Sequence, residues 1–176
     1  YLPISSAEGE QGAFASNGRA RVWQKRAAGA FVAFEARLVV HKDTTARVGV
    51  FVSREMQRAS ETQVEAEVTV SRHWDPAKNT LQTRVMKRGE EDLAYADVAG
   101  VEWKLDTPIV LRIERTGESG ETKIRVLVDG FPVLDGKALP NLGKTTTELK
   151  IGVFAEGQTG KKVDVEFDDV EIVYRK

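Results

Sequence analysis

Three glutamates, Glu61, Glu65 and Glu67, lie close together in the stretch ETQVEAEVTV. Glu65 and Glu67 are two residues apart, so a strand would place both carboxylates on one face. Two carboxyl groups about 5 Å apart can cleave a glycosidic bond, one acting as nucleophile and the other as acid. The alternative interpretation is that these glutamates simply face solvent from the outer side of a strand. The alternating apolar residues between them favour that alternative.

Trp74 lies in the stretch SRHWDP and is flanked by the polar residues His73 and Asp75. Sugars bind by stacking on aromatic rings while neighbouring polar groups bind their hydroxyls. The alternation of apolar residues ends near Ser71, and an Asp-Pro pair typical of turns follows. The sequence therefore predicts a ligand-binding site at His73, Trp74 and Asp75, where the chain leaves a sheet. The alternative is that Trp74 folds over the end of the protein as packing.

The sequence lacks the residues that other kinds of catalytic site require. The chain contains no cysteine, which excludes disulfides, thiolate–zinc centres and thiol catalysis. The two histidines, His41 and His73, are far apart in the sequence and have no metal-ligand spacing around them. There is no Gly-x-Ser-x-Gly elbow and no glycine-rich phosphate loop. We expect no catalytic residues and no cofactor.

Length and charge limit the classes of protein further. A chain of 176 residues is expected to form one domain, residues 1–176, with a sizeable core. A net charge of −1 makes nucleic acid an improbable partner, because phosphate binding needs clustered basic residues. No apolar run approaches the roughly 18 residues of a membrane span. Since the chain begins at Tyr1, we expect it to be excised from a larger protein.

Alternation of apolar and polar residues runs along most of the chain and predicts half-buried strands. About eleven such strands, separated by turn residues, predict an all-β antiparallel sandwich. Only Ser53 to Thr62 has a pattern that could form a helical turn. The core is predicted to contain Val64, Val68, Ile113, Val126, Ile151 and Phe167.

Two local features of the strands can be predicted. Asp129-Gly130 between two apolar runs indicates a tight hairpin, so Asp129 is expected to be a turn residue rather than a ligand. Pro132 has no amide hydrogen, which predicts that the returning strand is short or lies at a sheet edge. In VEFDDVEIVY the apolar parity changes at Asp168-Asp169, which predicts a bulge there.

The order of these motifs resembles that of concanavalin A-like jelly rolls. The resemblance rests on Trp103 followed by IVLRIER, VLVDGFPVL, LKIGVF and VEFDDVEIVY, with FVAFEARLVV and ARVGVFVSRE upstream. It is closest to bacterial laminin-G-like domains and to domains related to 3-keto-disaccharide hydrolases. The resemblance implies a jelly roll with a buried Trp103, and it implies a fold that serves lectins, glycosidases and spacers alike.

The resemblance also bears on catalysis and metal binding. Glycosidases with this fold typically contain a Glu-x-Asp-x-x-Glu strand, whereas Glu65 to Val70 has Glu67 at the central position and no third acid. Some relatives bind calcium, and Asp168-Asp169 could contribute ligands, although calcium prefers a shell of several oxygens. The sequence therefore favours a non-catalytic recognition module of a bacterial surface or envelope protein, outside the cytoplasm. Its partner would be a glycan or a protein; a glycoside-processing enzyme with an atypical site and a spacer without a ligand are the alternatives.

Overall fold

The fold was determined as a computed structural model. The structure describes residues 11–16, 19–42, 47–58, 61–75, 80–88, 93–98, 101, 103–116, 123–138, 148–156 and 164–175. Within some strands only the backbone is described, which applies to residues 55–58, 61–66, 73–75 and 80–88 among others. No helix in these ranges is long and apolar enough to cross a membrane.

Twelve strands and one short 3₁₀ turn make up the described fold. The elements are β1 (Gln11–Ser16), β2 (Arg19–Ala27), the turn Ala28–Ala30, β3 (Phe31–Lys42), β4 (Arg47–Arg58), β5 (Glu61–Asp75), β6 (Thr80–Arg88), β7 (Leu93–Val98), β8 (Ile109–Thr116), β9 (Lys123–Val128), β10 (Phe131–Ala138), β11 (Glu148–Glu156) and β12 (Asp164–Tyr174). All strand pairs are antiparallel. One sheet has the order β1-β2-β11-β4-β5-β6-β7, and the other has the order β10-β9-β8-β3-β12.

The two sheets pack face to face, with β4 and β5 against β8 and with β3 against β4. Alternate residues of each strand point between the sheets, because successive side chains of a strand lie on opposite faces. The predicted core residues Val68, Ile113, Val126 and Ile151 are almost completely buried there. Phe167 is only half-buried, although it packs against this core. The side chain of Val64 lies outside the described residues.

Ser53–Thr62, whose pattern allowed a helical turn, forms strands in the part that the structure describes. Ser53 to Arg58 continue β4, and Glu61 and Thr62 begin β5. The two strands remain paired to the ends of these segments, where Arg58 lies opposite Glu61. Pairing with a neighbouring strand therefore outweighs the weak local preference for a helix.

The predicted hairpin at Asp129-Gly130 is confirmed. Both residues have positive φ angles, 48° and 79°, as a two-residue turn of type I′ requires. The Asp129 carboxylate accepts a hydrogen bond from the Val110 amide at 2.8 Å, and its own amide donates to the Val110 carbonyl. Pro132 lies in β10, at the edge of the five-stranded sheet. Asp129 thus fixes the turn against β8.

The bulge predicted at Asp168-Asp169 is also confirmed. Asp168 pairs with Arg37 and Glu171 pairs with Glu35, so β12 has one residue more than β3 over this interval. Asp169 has a φ of 47°, and its amide donates a hydrogen bond to the Asp168 carboxylate. The extra residue turns Ile172 inward, as the change of parity indicated.

The outer surface of the five-stranded sheet carries a chain of ion pairs. Arg112 bonds to Glu35 and Glu114, and Arg125 bonds to Glu114 and Asp135. The hydrogen bond between Arg125 and Asp135 lowers the pKa of Asp135 and raises the pKa of Arg125. Opposite charges alternate across this face, which is typical of a solvated strand surface.

Candidate functional site

The predicted site residues His73, Trp74 and Asp75 are the last three residues of β5. They pair with Gln82, Leu81 and Thr80 of β6. The prediction that the strand ends near Ser71, leaving Trp74 in a turn, is therefore wrong, because backbone pairing with β6 continues to Asp75. The side chains of the three residues lie outside the described part of the chain, so their role in binding remains a prediction.

The glutamates of β5 do not have the environment that the sequence indicated. Ala66 pairs with Arg54 and Val64 pairs with Glu55, so Glu65 is the additional residue of a bulge. Glu67 points away from the core, as predicted, yet it is only 5% exposed. The prediction of a solvent-exposed Glu67 is wrong, because Glu67 and its neighbours Ser53 and Thr69 on the outer face are buried.

The outer face of the seven-stranded sheet is defined by alternate residues of four neighbouring strands. On β2 and β11 they include Trp23 and Gly152, which lie opposite each other while Val22 and Val153 point inward. On β4 and β5 they include Phe51 and Thr69, again opposite each other. The described side chains of this face are Arg21, Trp23, Lys25, Arg47, Phe51, Ser53, Glu67, Thr69, Ser71, Glu148, Lys150, Phe154 and Glu156.

A repeated tripeptide, Gly-Val-Phe, shapes the middle of this face. It occurs at Gly49–Phe51 in β4 and at Gly152–Phe154 in β11, and the two strands are antiparallel neighbours. Each glycine therefore lies opposite the phenylalanine of the other strand. The two rings are 6.3 Å apart and tilted by 57°, a geometry in which aromatic pairs attract.

The two glycines are required by close backbone approach. A Cβ atom on Gly49 would lie 2.1 Å from the Val70 carbonyl oxygen, and one on Gly152 would lie 2.0 Å from that of Val22. Both obstacles are backbone atoms, which cannot move aside as a flexible side chain can. The neighbouring strands thus approach closely on the outer side at these two positions.

Two arginines lie over the phenylalanine pair. The Arg21 guanidinium is 5.3 Å from the Phe51 ring centroid and 5.7 Å from that of Phe154. The Arg47 guanidinium is 5.0 Å from the Phe154 centroid. Cations within about 6 Å of a ring face are attracted to it. The rings are consequently almost fully buried beneath charged side chains that stay partly exposed.

Trp23 occupies the neighbouring position on β2, and its side chain is half-buried. The Lys150 ammonium lies 4.9 Å from its ring centroid. The register with β11 places Trp23 on the outer face. An indole and cationic donors are therefore adjacent on one surface.

Buried hydroxyl groups lie alongside the aromatic residues. Ser53 and Ser71 are fully buried and Thr69 is 1% exposed, and their hydroxyl oxygens have no hydrogen-bond partner. A buried polar group without a partner costs about 1–3 kcal/mol. The outer face therefore contains polar groups whose hydrogen-bonding capacity is not used within the chain.

A second polar cluster lies at the end of β3, in the five-stranded sheet. His41 Nδ1 is 2.8 Å from the Asp106 carboxylate, and Nε2 is 3.4 Å from that of Glu166. The hydrogen bond to Asp106 is the main cause of a raised His41 pKa.

Asp168, considered above as a calcium ligand, pairs with Arg37 at 3.2 Å. Within the described residues, no group of three or more acidic, histidine or cysteine side chains is arranged to hold a metal ion.

Sequence reasoning missed the outer face of the seven-stranded sheet as a candidate site. The available signal was the Gly-Val-Phe repeat. When two antiparallel strands carry this tripeptide and their valines lie opposite each other, each glycine lies opposite a phenylalanine.

Trp103, predicted to be buried, is half-buried and packs against the core.

Comparisons with known proteins give the fold class. No family model and no curated protein matches the sequence. Among solved structures, an alginate lyase from Pseudomonas aeruginosa is 15% identical, with a TM-score of 0.59 over 89% of this chain and 74% of that one. The carbohydrate-binding module CBM66 from Bacillus subtilis is 13% identical, with a TM-score of 0.53 over 94% and 92%. The Emp46p carbohydrate recognition domain is 10% identical, with a TM-score of 0.60 over 89% and 75%.

These likenesses, all at low identity, show the architecture. The chain has the concanavalin A-like jelly-roll fold, as its order of motifs indicated. The narrower likeness to laminin-G-like domains remains a prediction.

Proposed function

We propose that this domain is a non-catalytic carbohydrate-recognition module that binds its glycan on the outer face of the seven-stranded sheet. The observation on which the proposal depends is the placement of Trp23 beside Arg21 and Lys150. An aromatic ring offers a surface for the apolar side of a sugar, and cationic side chains donate hydrogen bonds to its oxygens.

The comparisons support this class of ligand. Structures with the same fold include a carbohydrate-binding module, a carbohydrate recognition domain and a galectin, but also an alginate lyase. A bacterial surface or envelope protein outside the cytoplasm would be a suitable context for such a module. His73, Trp74 and Asp75 remain proposed ligand-binding residues at the end of β5. His73 and Asp75 have the strand parity of the outer-face residues Thr69 and Ser71, whereas Trp74 has that of the core residues Val68 and Val70. A protein ligand is the alternative partner.

A glycan panel tests the proposal. The purified domain is applied to immobilised neutral and acidic oligosaccharides, and bound protein is measured together with the melting temperature of each variant. We expect binding to at least one glycan class, and we expect Trp23→Ala to weaken it without unfolding the domain. A domain that binds no glycan in the panel or in solution would contradict the proposal. A large loss of stability in Trp74→Ala would instead assign that residue to packing.

A glycoside-processing enzyme is the second candidate, and the burial of Glu67 on the proposed ligand face favours it. A retaining glycosidase needs a second carboxyl group about 5 Å away, and Glu65 at the adjacent bulge is the nearest acidic residue along β5. We nevertheless expect no turnover of β-glucans, aryl glycosides or polyuronates. Turnover that is present in the parent, lost in Glu67→Gln and kept in Glu171→Gln would establish the enzyme instead.

A further inference from the structure

Among the described side chains on the outer face of β2, β11 and β4, four are basic and two are acidic, and Glu67 lies on the same face of the neighbouring β5. Arg21 and Lys25 lie on β2, Lys150 on β11 and Arg47 on β4. The acidic side chains described on the same strands and face are Glu148 and Glu156. Lys25 and Lys150 are direct cross-strand partners. The described side chains of these three strands therefore carry a net positive charge on this face.

Glu156 does not satisfy the two arginines. Its carboxylate oxygens are 3.8 Å from Arg21 and 3.6 Å from Arg47, beyond the usual hydrogen-bond distance of about 2.7–3.2 Å. The Nε atom of Arg47 is buried and has no hydrogen-bond partner. One carboxylate at ion-pair distance is thus shared by two guanidinium groups, and the side chains of Arg21 and Arg47 remain 33% and 25% exposed.

The guanidinium groups are held in place by the rings beneath them. A guanidinium offers paired donors that match the two oxygens of a carboxylate. Because the phenylalanine rings already fix both arginines, little side-chain freedom would be lost when a carboxylate binds.

We propose that the glycan bound here is an acidic oligosaccharide whose sugar carboxylates bind Arg21 and Arg47 while a neighbouring ring stacks on Trp23. This inference rests on the proposed function and adds the ligand class to it. Strands β2 and β4 are separated by β11, so their residues are about 10 Å apart. A ligand that contacts both Trp23 and Arg47 is therefore longer than a single sugar.

Matched probes isolate the role of the carboxylate. Calorimetric titration compares hexagalacturonate, its methyl ester, a mannuronate hexamer, laminarihexaose and dextran sulfate. We expect one of the two uronate hexamers to bind at least about tenfold tighter than the ester and the neutral glucan, a difference of about 1.4 kcal/mol. Arg47→Gln and Arg21→Gln should each lose about tenfold on the acid, with Arg47→Lys recovering part of the affinity. Arg37→Gln, which removes a charge from the other sheet, is the control.

The outcomes separate the inference from the proposed function. Equal affinity for the ester, the glucan and the acids would overturn the acidic ligand but leave carbohydrate binding. Unchanged affinity in folded Arg21 and Arg47 variants would overturn the assigned residues. Dextran sulfate bound as tightly as the uronates would show charge attraction without carboxylate recognition. Binding to none of the probes or panel glycans would contradict the proposed function itself.

Discussion

His41 illustrates how single contacts set the behaviour of a residue. Its two ring nitrogens face the carboxylates of Asp106 and Glu166, and Asp164 adds a further negative charge nearby. The hydrogen bond to Asp106 raises the His41 pKa more than burial lowers it. The protonated imidazole is therefore favoured in the folded protein over the unfolded chain.

The pH dependence of stability follows from that shift. A raised pKa in the folded state adds stability below the unfolded value of about 6.5, and the gain is lost as pH rises through the folded value. We expect His41→Gln to lower the melting temperature at pH 5.5 and to have little effect at pH 9. An NMR titration should give a pKa for His41 above its ordinary value, and Asp106→Asn should bring it down. A His41 that titrates below about 6.5 would contradict this account.

Glu67 shows what strand parity can and cannot predict. The alternation in β5 correctly places Glu67 away from the core, but a sequence pattern does not reveal whether the outer face is covered. Because Glu67 is buried and takes part in a polar interaction, Glu67→Gln should cost about 1–3 kcal/mol in urea unfolding. Glu171→Gln, at an exposed position of β12, should remain within about 0.5 kcal/mol. Equal effects of the two changes would show that Glu67 is exposed in solution.

At the scale of elements, the paired Gly-Val-Phe segments of β4 and β11 make a testable contrast with the Asp129-Gly130 turn. Gly49 has an ordinary φ angle, but a Cβ atom added there would collide with the neighbouring strand. Gly130 has open space for a Cβ atom, but its φ angle is 79°. Gly130→Ala should cost about 1–2 kcal/mol through backbone strain. Gly49→Ala must push β4 from β5, and overpacking of this kind costs about 1–3 kcal/mol or more. We expect Gly49→Ala to be the more destabilising in urea unfolding, and the reverse order would contradict the close approach.

The elements also show which features a sequence can predict. The Asp129-Gly130 hairpin and the Asp168-Asp169 bulge were predictable because local backbone chemistry and strand parity determine them. The end of β5 and the strand character of Ser53 to Arg58 were not, because backbone pairing with the adjacent strand decides both and alternation of apolar residues does not show where that pairing stops. The outer face of the seven-stranded sheet requires knowledge that β2, β11 and β4 are neighbours, although they are far apart in the chain.

At the scale of the whole molecule, two sheets enclose an apolar core and differ in their outer surfaces. The five-stranded sheet is covered by alternating ion pairs, whereas the seven-stranded sheet carries stacked arginines, Trp23 and buried hydroxyls. The central claim is that glycan binding belongs to the second surface. Two partly exposed aromatic residues allow a comparison of the sheets: Trp23 on the seven-stranded sheet, and Phe131 at the edge of the other, where it is 75% exposed.

The most direct measurement is therefore the affinity of Trp23→Ala and Phe131→Ala for the tightest glycan of the panel, by calorimetry on folded protein. We predict that Trp23→Ala loses about 1–3 kcal/mol of binding free energy, judged from aromatic stacking in other ligand systems. Phe131→Ala should bind like the parent. Parent-like affinity in Trp23→Ala, or a loss confined to Phe131→Ala, would contradict the account.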